Sequence, residues 1–483
     1  MTKLRSRCFN VFMTASDIIT DEHGDQHFII NVSPSLKSIA STSDGKFYMR
    51  VGDKCEPVHS EDIHRLASEK QALQWELICT RQVRLVDISE EKLASFCDKI
   101  RKSPRVREHI KQMTDWEIAE NLNLVTDGYL TYLGILWLGN AAQRSRICYP
   151  ITVQYIVYDK TEQKIRKIDW YDNLLDPEEL LLDIEKQAIE LTYSYEFPNG
   201  LFRKQVRHYH PKVIRELLVN AFAHKLFSIS GDIVIEVYPD RLEISNPGGL
   251  PLGVTSNNIL HQRQRRNPQF VRILQALELM EGEGSGYDLI YELDMRDSKH
   301  LPIVESDYNQ TKVIQYAEIT NPELLQLFEY VSMNYELTQK NLIALGLVAQ
   351  RQKLLTTELT MSLQLTADSR VRPYTDRLVE QKLLITRGIK KGTAFLVNPR
   401  LIANAKINRI TTLKTIEPYR LRALIEEDLK QHPGSKMAEI LKRLPDADPK
   451  DIKKFVYQMV DEGVLMHTGG KTYRAYHLNG KQK

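Results

Sequence analysis

The stretch from Pro211 to Gly286 constrains what this 483-residue chain can fold into more than any other. It opens with Pro211-Lys-Val-Ile-Arg-Glu-Leu-Leu-Val-Asn-Ala-Phe-Ala-His224, which reads as a helix with proline in its first turn, where the missing N–H has no partner to lose. Glu216, Asn220 and His224 recur every fourth residue and share one face, while Val213, Leu217 and Ala221 form the stripe expected to be buried. Gly231-Asp-Ile-Val-Ile-Glu-Val-Tyr238 then alternates apolar and polar residues, turns at Pro239-Asp240 and returns as Arg241-Leu-Glu-Ile-Ser245, a β-hairpin pattern. It runs into Asn246-Pro-Gly-Gly249, where Gly248 and Gly249 let backbone approach a ligand. The basic stretch Arg263-Gln-Arg-Arg-Asn-Pro268 and an apolar helix precede Glu281-Gly-Glu-Gly-Ser-Gly-Tyr287. Gly282, Gly284 and Gly286 there open a further helix, an arrangement that suits phosphate on bare N–H groups at the positive end of the dipole.

Taken singly, each piece is bland. A G-x-G-x-G run is most often a loop, Glu216 a solvated helix position and His224 a structural histidine. Their order within one stretch resembles the Bergerat-type ATP-binding domain of the GHKL superfamily, which spans gyrase, heat-shock chaperone, mismatch-repair and histidine-kinase ATPases. It is most similar to a divergent branch in a bacterial family of transcriptional regulators, whose members are often labelled RecG-related helicases. The matching segments are Arg215-Glu-Leu-Leu-Val-Asn-Ala-Phe-Ala-His224, Asp240-Arg-Leu-Glu-Ile-Ser-Asn-Pro-Gly-Gly-Leu-Pro251, Arg266-Asn-Pro268 and Gly284-Ser-Gly286.

The resemblance implies roles. Asn220 would hold Mg²⁺ on the nucleotide phosphates, and Glu216 would be the water-activating base. Gly282, Gly284, Ser285 and Gly286 would wrap the phosphates, and Arg266 and Asn267 would lie in a mobile lid. Two departures stand out. Asn246 occupies the place of an aspartate that reads the adenine amino group, and Asn donates as well as accepts. His224 matches the branch, but the acidic residue expected two positions later is Leu226. Hydrolysis of ATP and mere sensing of it both stay open.

Composition sets the remaining bounds. The five cysteines are scattered without a C-x-x-C pair, so neither a disulfide framework nor a zinc ribbon is indicated. No apolar run approaches a membrane span and no leader is evident, so the expectation is a cytoplasmic protein with no membrane partner. No G-x-x-x-x-G-K-[ST] loop occurs, which rejects a P-loop motor. The net charge of +3 hides an asymmetry: residues 321–483 carry 27 Lys+Arg against 17 Asp+Glu, or +10, and the rest is −7. A basic final third on an acidic body suggests a polyanion partner.

Along the chain, five regions are expected within an α+β multidomain fold. Residues 1–110 contain strand-like His27–Val32 and Gly45–Gly52, then a turn and helix over Pro57–Lys70. The run Tyr48-Met-Arg-Val-Gly52 followed by Ser60-Glu-Asp-Ile resembles the end of an Alba-like (Schlafen-type) domain, here partial. A small packing module and a nucleic-acid contact are both open for it. Residues 111–205 read as a connecting α/β segment, with Leu133–Gly139 in the core, a strand at Ile151–Tyr158 and a long acidic helix over Leu174–Tyr193. Residues 206–320 form the GHKL-type α/β sandwich.

Residues 321–405 and 406–483 then repeat a pattern of two short helices and a hairpin with a basic tip. Its outline resembles a winged helix-turn-helix, in which the second helix enters the major groove of double-stranded DNA and the wing touches backbone. The candidate contacts are Arg370, Arg372, Tyr374 and Arg377, with Lys390 and Lys391 on the first wing, and Lys450, Lys453, Lys454 and Lys471 in the second unit. Arginine is the better base reader and lysine the plainer phosphate contact. The expected protein is an ATP- and Mg²⁺-binding regulator, a homo-oligomer such as a dimer, whose nucleotide controls DNA binding. The rivals are an ATP-dependent enzyme on nucleic acid, a histidine-type kinase and a scaffold with a dead nucleotide site.

Overall fold

The computed structural model describes all residues except 1–3, 5, 21–22, 34–37, 52–53, 60–62, 64–65, 68–73, 148–149, 200–201, 252–253, 263, 281–285, 308, 366–369, 389–392, 406–417, 445–448, 471–473 and 480–483. The chain forms two compact units, one of residues 1–287 and 302–317 and the other of 288–301 and 318–483, in an α+β architecture.

Alongside smaller strand pairs and a three-stranded sheet, the first unit is centred on a six-stranded sheet with its helices. In chain order its elements are β1 (Val153–Tyr158), β2 (Lys164–Trp170), α1 (Pro177–Gln187), α2 (Pro211–His224), β3 (Ile233–Val237), β4 (Arg241–Pro247), α3 (Pro268–Ala276), the start of α4 (Gly286–Arg296), β5 (Ile303–Ser306) and β6 (Gln310–Tyr316). The strands lie in the order β2-β1-β3-β4-β6-β5, all neighbours antiparallel except β1 and β3, which run parallel with Val153 opposite Ile233. A parallel step needs a long crossover, and the chain between β1 and β3, with α1 and α2, supplies it. The period-two pattern of β3 places Ile233, Ile235 and Val237 inside, each buried, beside Leu242 and Ile244 of β4. Burying such side chains is worth roughly 1.5–3 kcal/mol each.

This sheet corrects the boundary expected between residues 205 and 206. β1 and β2 from the supposed connecting segment pair directly with the hairpin, because two strands alone bury too little apolar surface to stand in water. The core reading of 133–139 is borne out: Leu133, Ile135, Leu136, Trp137 and Leu138 are buried in a helix over Tyr132–Leu138. The long acidic helix is shorter than expected. Asp176 caps it ahead of Pro177, and it ends at Gln187, after which the buried Glu190 accepts from Arg166 and from the Tyr155 hydroxyl.

Ahead of the sheet, the strand expected over His27–Val32 is split into Gln26–His27 and Ile30–Ser33. Through Pro57 the described strands pair only in twos. Phe9, Phe12, Phe28 and Val32 are exposed there, and most of the helix expected at 57–70 lies outside the described residues.

The second unit repeats one arrangement. α5 (Gln339–Arg351), β7 (Lys353–Leu355), α6 (Thr356–Ser362), α7 (Arg372–Glu380), β8 (Leu384–Arg387) and β9 (Ala394–Val397) are followed by α8 (Pro418–Gln431), β10 (Ser435–Lys436), α9 (Met437–Arg443), α10 (Pro449–Asp461), β11 (Leu465–Thr468) and β12 (Ala475–Leu478). Each set ends in a three-stranded antiparallel sheet with the last strand in the middle, β7-β9-β8 and β10-β12-β11. The match extends to backbone detail. Lys382 after α7 and Gly463 after α10 hold the same left-handed turn, with φ of 58° and 73°. The first helix and first strand of each set, α5 with β7 and α8 with β10, fall inside the units expected over 321–405 and 406–483 but were not read there as a helix and a strand.

Candidate functional site

α2 carries the site. His210 caps it by accepting the Lys212 N–H on Nδ1 at 3.2 Å, and Pro211 follows in the first turn. Val213, Leu217 and Ala221 are buried as expected. On the polar face, Asn220 Nδ2 donates to Glu216 Oε1 at 3.0 Å, which leaves the Asn220 carboxamide oxygen unused. Glu216 is only 7% exposed. A Cβ added at Gly286, the first residue of α4, would come within 1.9 Å of Glu216 Oε1, so glycine there lets the carboxylate lie against the start of that helix.

The opposite end of the face meets β4. The Leu226 N–H donates to the Pro247 carbonyl at 3.2 Å and fastens the end of α2 to the end of the strand. The strand then turns at Gly248, whose φ of +97° and distance of 2.7 Å from a built Cβ to Leu226 Cβ both exclude a side chain. Asn246 lies opposite Thr311 of β6, and the Thr311 hydroxyl donates to the Gly248 carbonyl at 2.9 Å.

Between them lies a cavity of about 470 Å³. Glu216, Asn220, His224, Asn246, Gly249, Arg266 and Gly286 line it together, so residues spread over 71 positions of sequence converge. Thr311, Val313, Leu250, Val254, Ile259 and Tyr287 also line it and were missed from the sequence. The alternation of Gln310–Tyr316 was the available signal for the first two. Gly248 sits beside the cavity as a turn. Gly282, Gly284 and Ser285 lie outside the described residues.

Two of the lining residues have unusual electrostatics. Burial, with the Arg266 charge second, pushes the His224 imidazole down to about 4 and keeps it neutral. Its Nδ1 is buried with no hydrogen-bond partner, and so is Oδ1 of Asn246, which is 8% exposed.

The lid expected at Arg266 and Asn267 is corrected. Arg266 donates to the His224 carbonyl at 2.7 Å and to the Gly249 carbonyl at 2.6 Å. Asn267 donates to the carbonyls of Ala223 and Lys225, both at 2.9 Å, and accepts the Trp75 indole N–H at 2.8 Å. Trp75 stacks on Phe227 with centroids 3.9 Å apart. Next to it Glu76 is 1% exposed and accepts the Phe270 N–H of α3 at 2.7 Å, with burial pushing its carboxyl up to about 7. The segment is an anchor for the carbonyls at the end of α2, which have no partner within the helix, and Asn267 does not line the cavity.

In the second unit, Arg370, Arg372 and Arg377 are exposed, as are Lys453 and Lys454 on α10. Tyr374 is corrected: it is 3% exposed, its ring carries Lys340 at 5.5 Å, and burial pushes its phenol up to about 12. Lys450 lies in the first turn of α10. Lys390, Lys391 and Lys471 lie outside the described residues. Among the described residues no helix is long and apolar enough to cross a membrane.

Residues 231–314 match the family model HATPase_c_4, described as "Putative ATP-dependent DNA helicase recG C-terminal". The chain therefore contains an ATPase-like domain, and the match covers β3, β4, α3, α4, β5 and most of β6. No curated protein matches the chain. In fold it is similar to the crystal structure of the DIP2311 protein from Corynebacterium diphtheriae, with a TM-score of 0.54 and 18% identity over 96% of this chain and 80% of that one. At that identity the likeness concerns the fold alone.

Proposed function

We propose that the first unit binds ATP with Mg²⁺ in the GHKL manner, and that the nucleotide controls binding of duplex DNA by two winged helices in the second unit. The observation that carries the reading is the convergence of Glu216, Asn220, Asn246 and Gly286 on one cavity beside a domain that matches an ATPase family. From Glu216 to His224 the face runs eight residues, about 12 Å at 1.5 Å per residue. That length seats phosphates at the Gly286 end and a base at the Asn246 end. Among the described residues no group of three or more His, Cys, Asp or Glu could hold a metal. Asn220 would supply one protein oxygen, which suits an ion that keeps several waters, and the ion would neutralise phosphate charge when bound.

Glu216 is the general base of a slow hydrolysis in this reading. Its burial, the amide held against it by Asn220 and its position beside Gly286 support that role. The second unit's helix–strand–helix–helix–strand–strand sets have the winged-helix order, and their exposed arginines and lysines support a polyanion partner.

Calorimetry of MgATP binding tests the reading. Asn220→Ala should lose the Mg²⁺-dependent part of the affinity, and unchanged MgATP affinity in that variant overturns the assignment. Glu216→Gln should keep the nucleotide and lose about 10²–10⁴-fold in turnover. If the wild type shows no turnover above background, the site senses ATP without hydrolysing it.

A further inference from the structure

We propose that residues 79–131 form a third winged helix, acidic where the other two are basic, and that it binds the arginine-bearing helix α7 of a second copy of this chain. The inference goes beyond the nucleotide reading and does not depend on it.

The strand–helix–helix–strand–strand part of the second unit's repeat recurs in the first unit. Strand Cys79–Arg84 leads to helix Glu90–Lys102, a single turn at Glu108–Lys111, helix Asp115–Asn121 and a hairpin of Val125–Thr126 with Tyr129–Thr131. These three strands are antiparallel with the last in the middle, as in β7-β9-β8 and β10-β12-β11. After the last helix Asn123 is left-handed with φ of 58°, like Lys382 and Gly463 at the same place. The next residue in each case donates to the carbonyl five positions back: Leu124 to Ala119 at 2.9 Å, Leu383 to Leu378 at 2.8 Å and Val464 to Met459 at 2.9 Å. Its own carbonyl accepts an N–H from where the last strand ends, from Thr131 at 3.0 Å, Asn398 at 2.9 Å and Asn479 at 3.0 Å.

What this helix presents is different. Ile118 and Ala119 are buried, and its end is tied to α3: Arg272 donates to the carbonyl and Oδ1 of Asn121, both at 2.7 Å, and Gln269 accepts from Asn123 at 2.9 Å. Trp116, 40% exposed, stands outward with Glu117 and Glu120. The hairpin turn carries exposed Asp127, and a Cβ built on the adjacent Gly128 would lie 3.8 Å from the Trp116 ring, so helix face and turn form one surface. Residues 112–131 hold four Asp+Glu and no Lys or Arg, whereas 372–397 hold six Lys+Arg against two Asp+Glu. Asp115 is paired with Arg101, but among the described residues Glu120 and Asp127 have no ion-pair partner, and neither do Arg372 and Arg377.

Phosphate repels such a face, so this helix is not a DNA reader. A tryptophan ringed by carboxylates suits a guanidinium, which stacks on the ring and pairs with the acids. Tryptophan and arginine are also the side chains on which protein interfaces most often depend. Helix α7 offers Arg372 and Arg377, both exposed. Trp116 and the two arginines are exposed in a single chain, which leaves the contact to be made between copies, and a twofold pair makes it twice. The contact covers arginines that duplex DNA also needs, so dimer and DNA compete for α7.

Sedimentation equilibrium of the full chain, with and without duplex DNA, tests this. The expected result is a dimer that weakens with salt and that duplex DNA dissociates. Trp116→Ala and Glu120→Arg should each weaken the dimer at least about tenfold, as loss of a central contact does, with circular dichroism checking that the fold is kept. Arg377→Glu should weaken it by a similar factor. Glu120→Arg combined with Arg377→Glu should dimerise at least about tenfold more tightly than either variant alone, a recovery that a merely structural role does not produce. A monomer at low salt overturns the proposal, and so does a dimer that neither Trp116→Ala nor Glu120→Arg weakens. A combined variant without recovery removes α7 as the occupant, and so does an intact dimer that holds DNA. Recovery in the combined variant, with no DNA bound by the wild type, sustains the contact and removes the DNA reading.

Discussion

Two pairs of buried polar residues stand side by side on the first unit and have opposite bonding. Arg266 and Asn267 spend their donors on the carbonyls of His224, Gly249, Ala223 and Lys225, and Asn267 also accepts from Trp75. His224 and Asn246, a few residues away along α2 and β4, each bury an unpaired atom. The first pair closes the end of a helix and ties the segment before α3 to it. The side-chain polar atoms of the second pair make no hydrogen bond that holds the fold, and burying them unpaired works against stability. The difference separates residues that the sequence order alone had grouped as one ligand-binding set.

The strongest way to break the comparison is to remove one carboxamide from each pair. Asn267→Leu leaves two carbonyls and the Trp75 indole N–H without their partner, each worth about 1–3 kcal/mol when buried and unsatisfied, so a loss of at least about 3 kcal/mol is expected. Asn246→Leu removes a buried atom that had no partner, and stability should be unchanged or rise, by up to about 1–3 kcal/mol. Urea unfolding followed by tryptophan fluorescence reads both, Trp75 reporting locally. Equal losses in the two variants would show that Asn246 is a structural residue after all.

A smaller effect comes from Glu76, which fixes α3 from the same anchor. Its folded value, pushed up to about 7 from the usual 4.5, means that the protonated form is favoured in the folded state. Its contribution is fully present below pH 4.5 and is lost as pH rises through about 7, a span worth about 3 kcal/mol at 1.36 kcal/mol per unit. His224 has the opposite sign: held down to about 4 from 6.5, it contributes above pH 6.5 and loses that as pH falls through about 4. The wild type should therefore show a nearly flat stability profile between these limits. Glu76→Gln should be the more stable protein at pH 8 and should expose the His224 rise from pH 4 to 6.5. A Glu76→Gln profile that superimposes on the wild type at every pH would remove Glu76 from this account.

The legible part of the site was local. The four-residue spacing of Glu216, Asn220 and His224 is a property of one helix, and the alternation over 231–245 is a property of one hairpin. What escaped depends on residues far apart in the chain. Trp75 meets Asn267 across 192 positions, β1 joins β3 across a crossover, and Thr311 faces Asn246 only because β6 returns beside β4. No periodicity encodes such pairings. Tyr374 is a different case, since Val371, Tyr374, Thr375 and Leu378 follow the spacing of a buried helical stripe and are all buried. The signal was in the sequence, and reading the aromatic ring as a nucleic-acid contact ignored it.

The second unit offers the same kind of comparison at smaller amplitude. α7 and α10 occupy equal places in their repeats, yet α7 exposes Arg372 and Arg377 and buries Tyr374, while α10 exposes Lys453, Lys454 and Tyr457. If both helices meet duplex DNA, the arginine helix carries base readout, because guanidinium pairs two acceptors on a guanine edge at once, and the lysine helix carries phosphate contact. Arg372→Ala with Arg377→Ala should cost about 1–3 kcal/mol for each base contact and flatten any sequence preference. Lys453→Ala with Lys454→Ala should weaken all sequences alike and shallow the slope of log affinity against log salt by about one per lost phosphate contact. Fluorescence anisotropy of the full chain on duplex DNA over a salt series separates the two patterns. Identical behaviour of the two double variants would make the repeats equivalent phosphate binders, and full-strength binding by both would leave α7 and α10 as protein-contact helices.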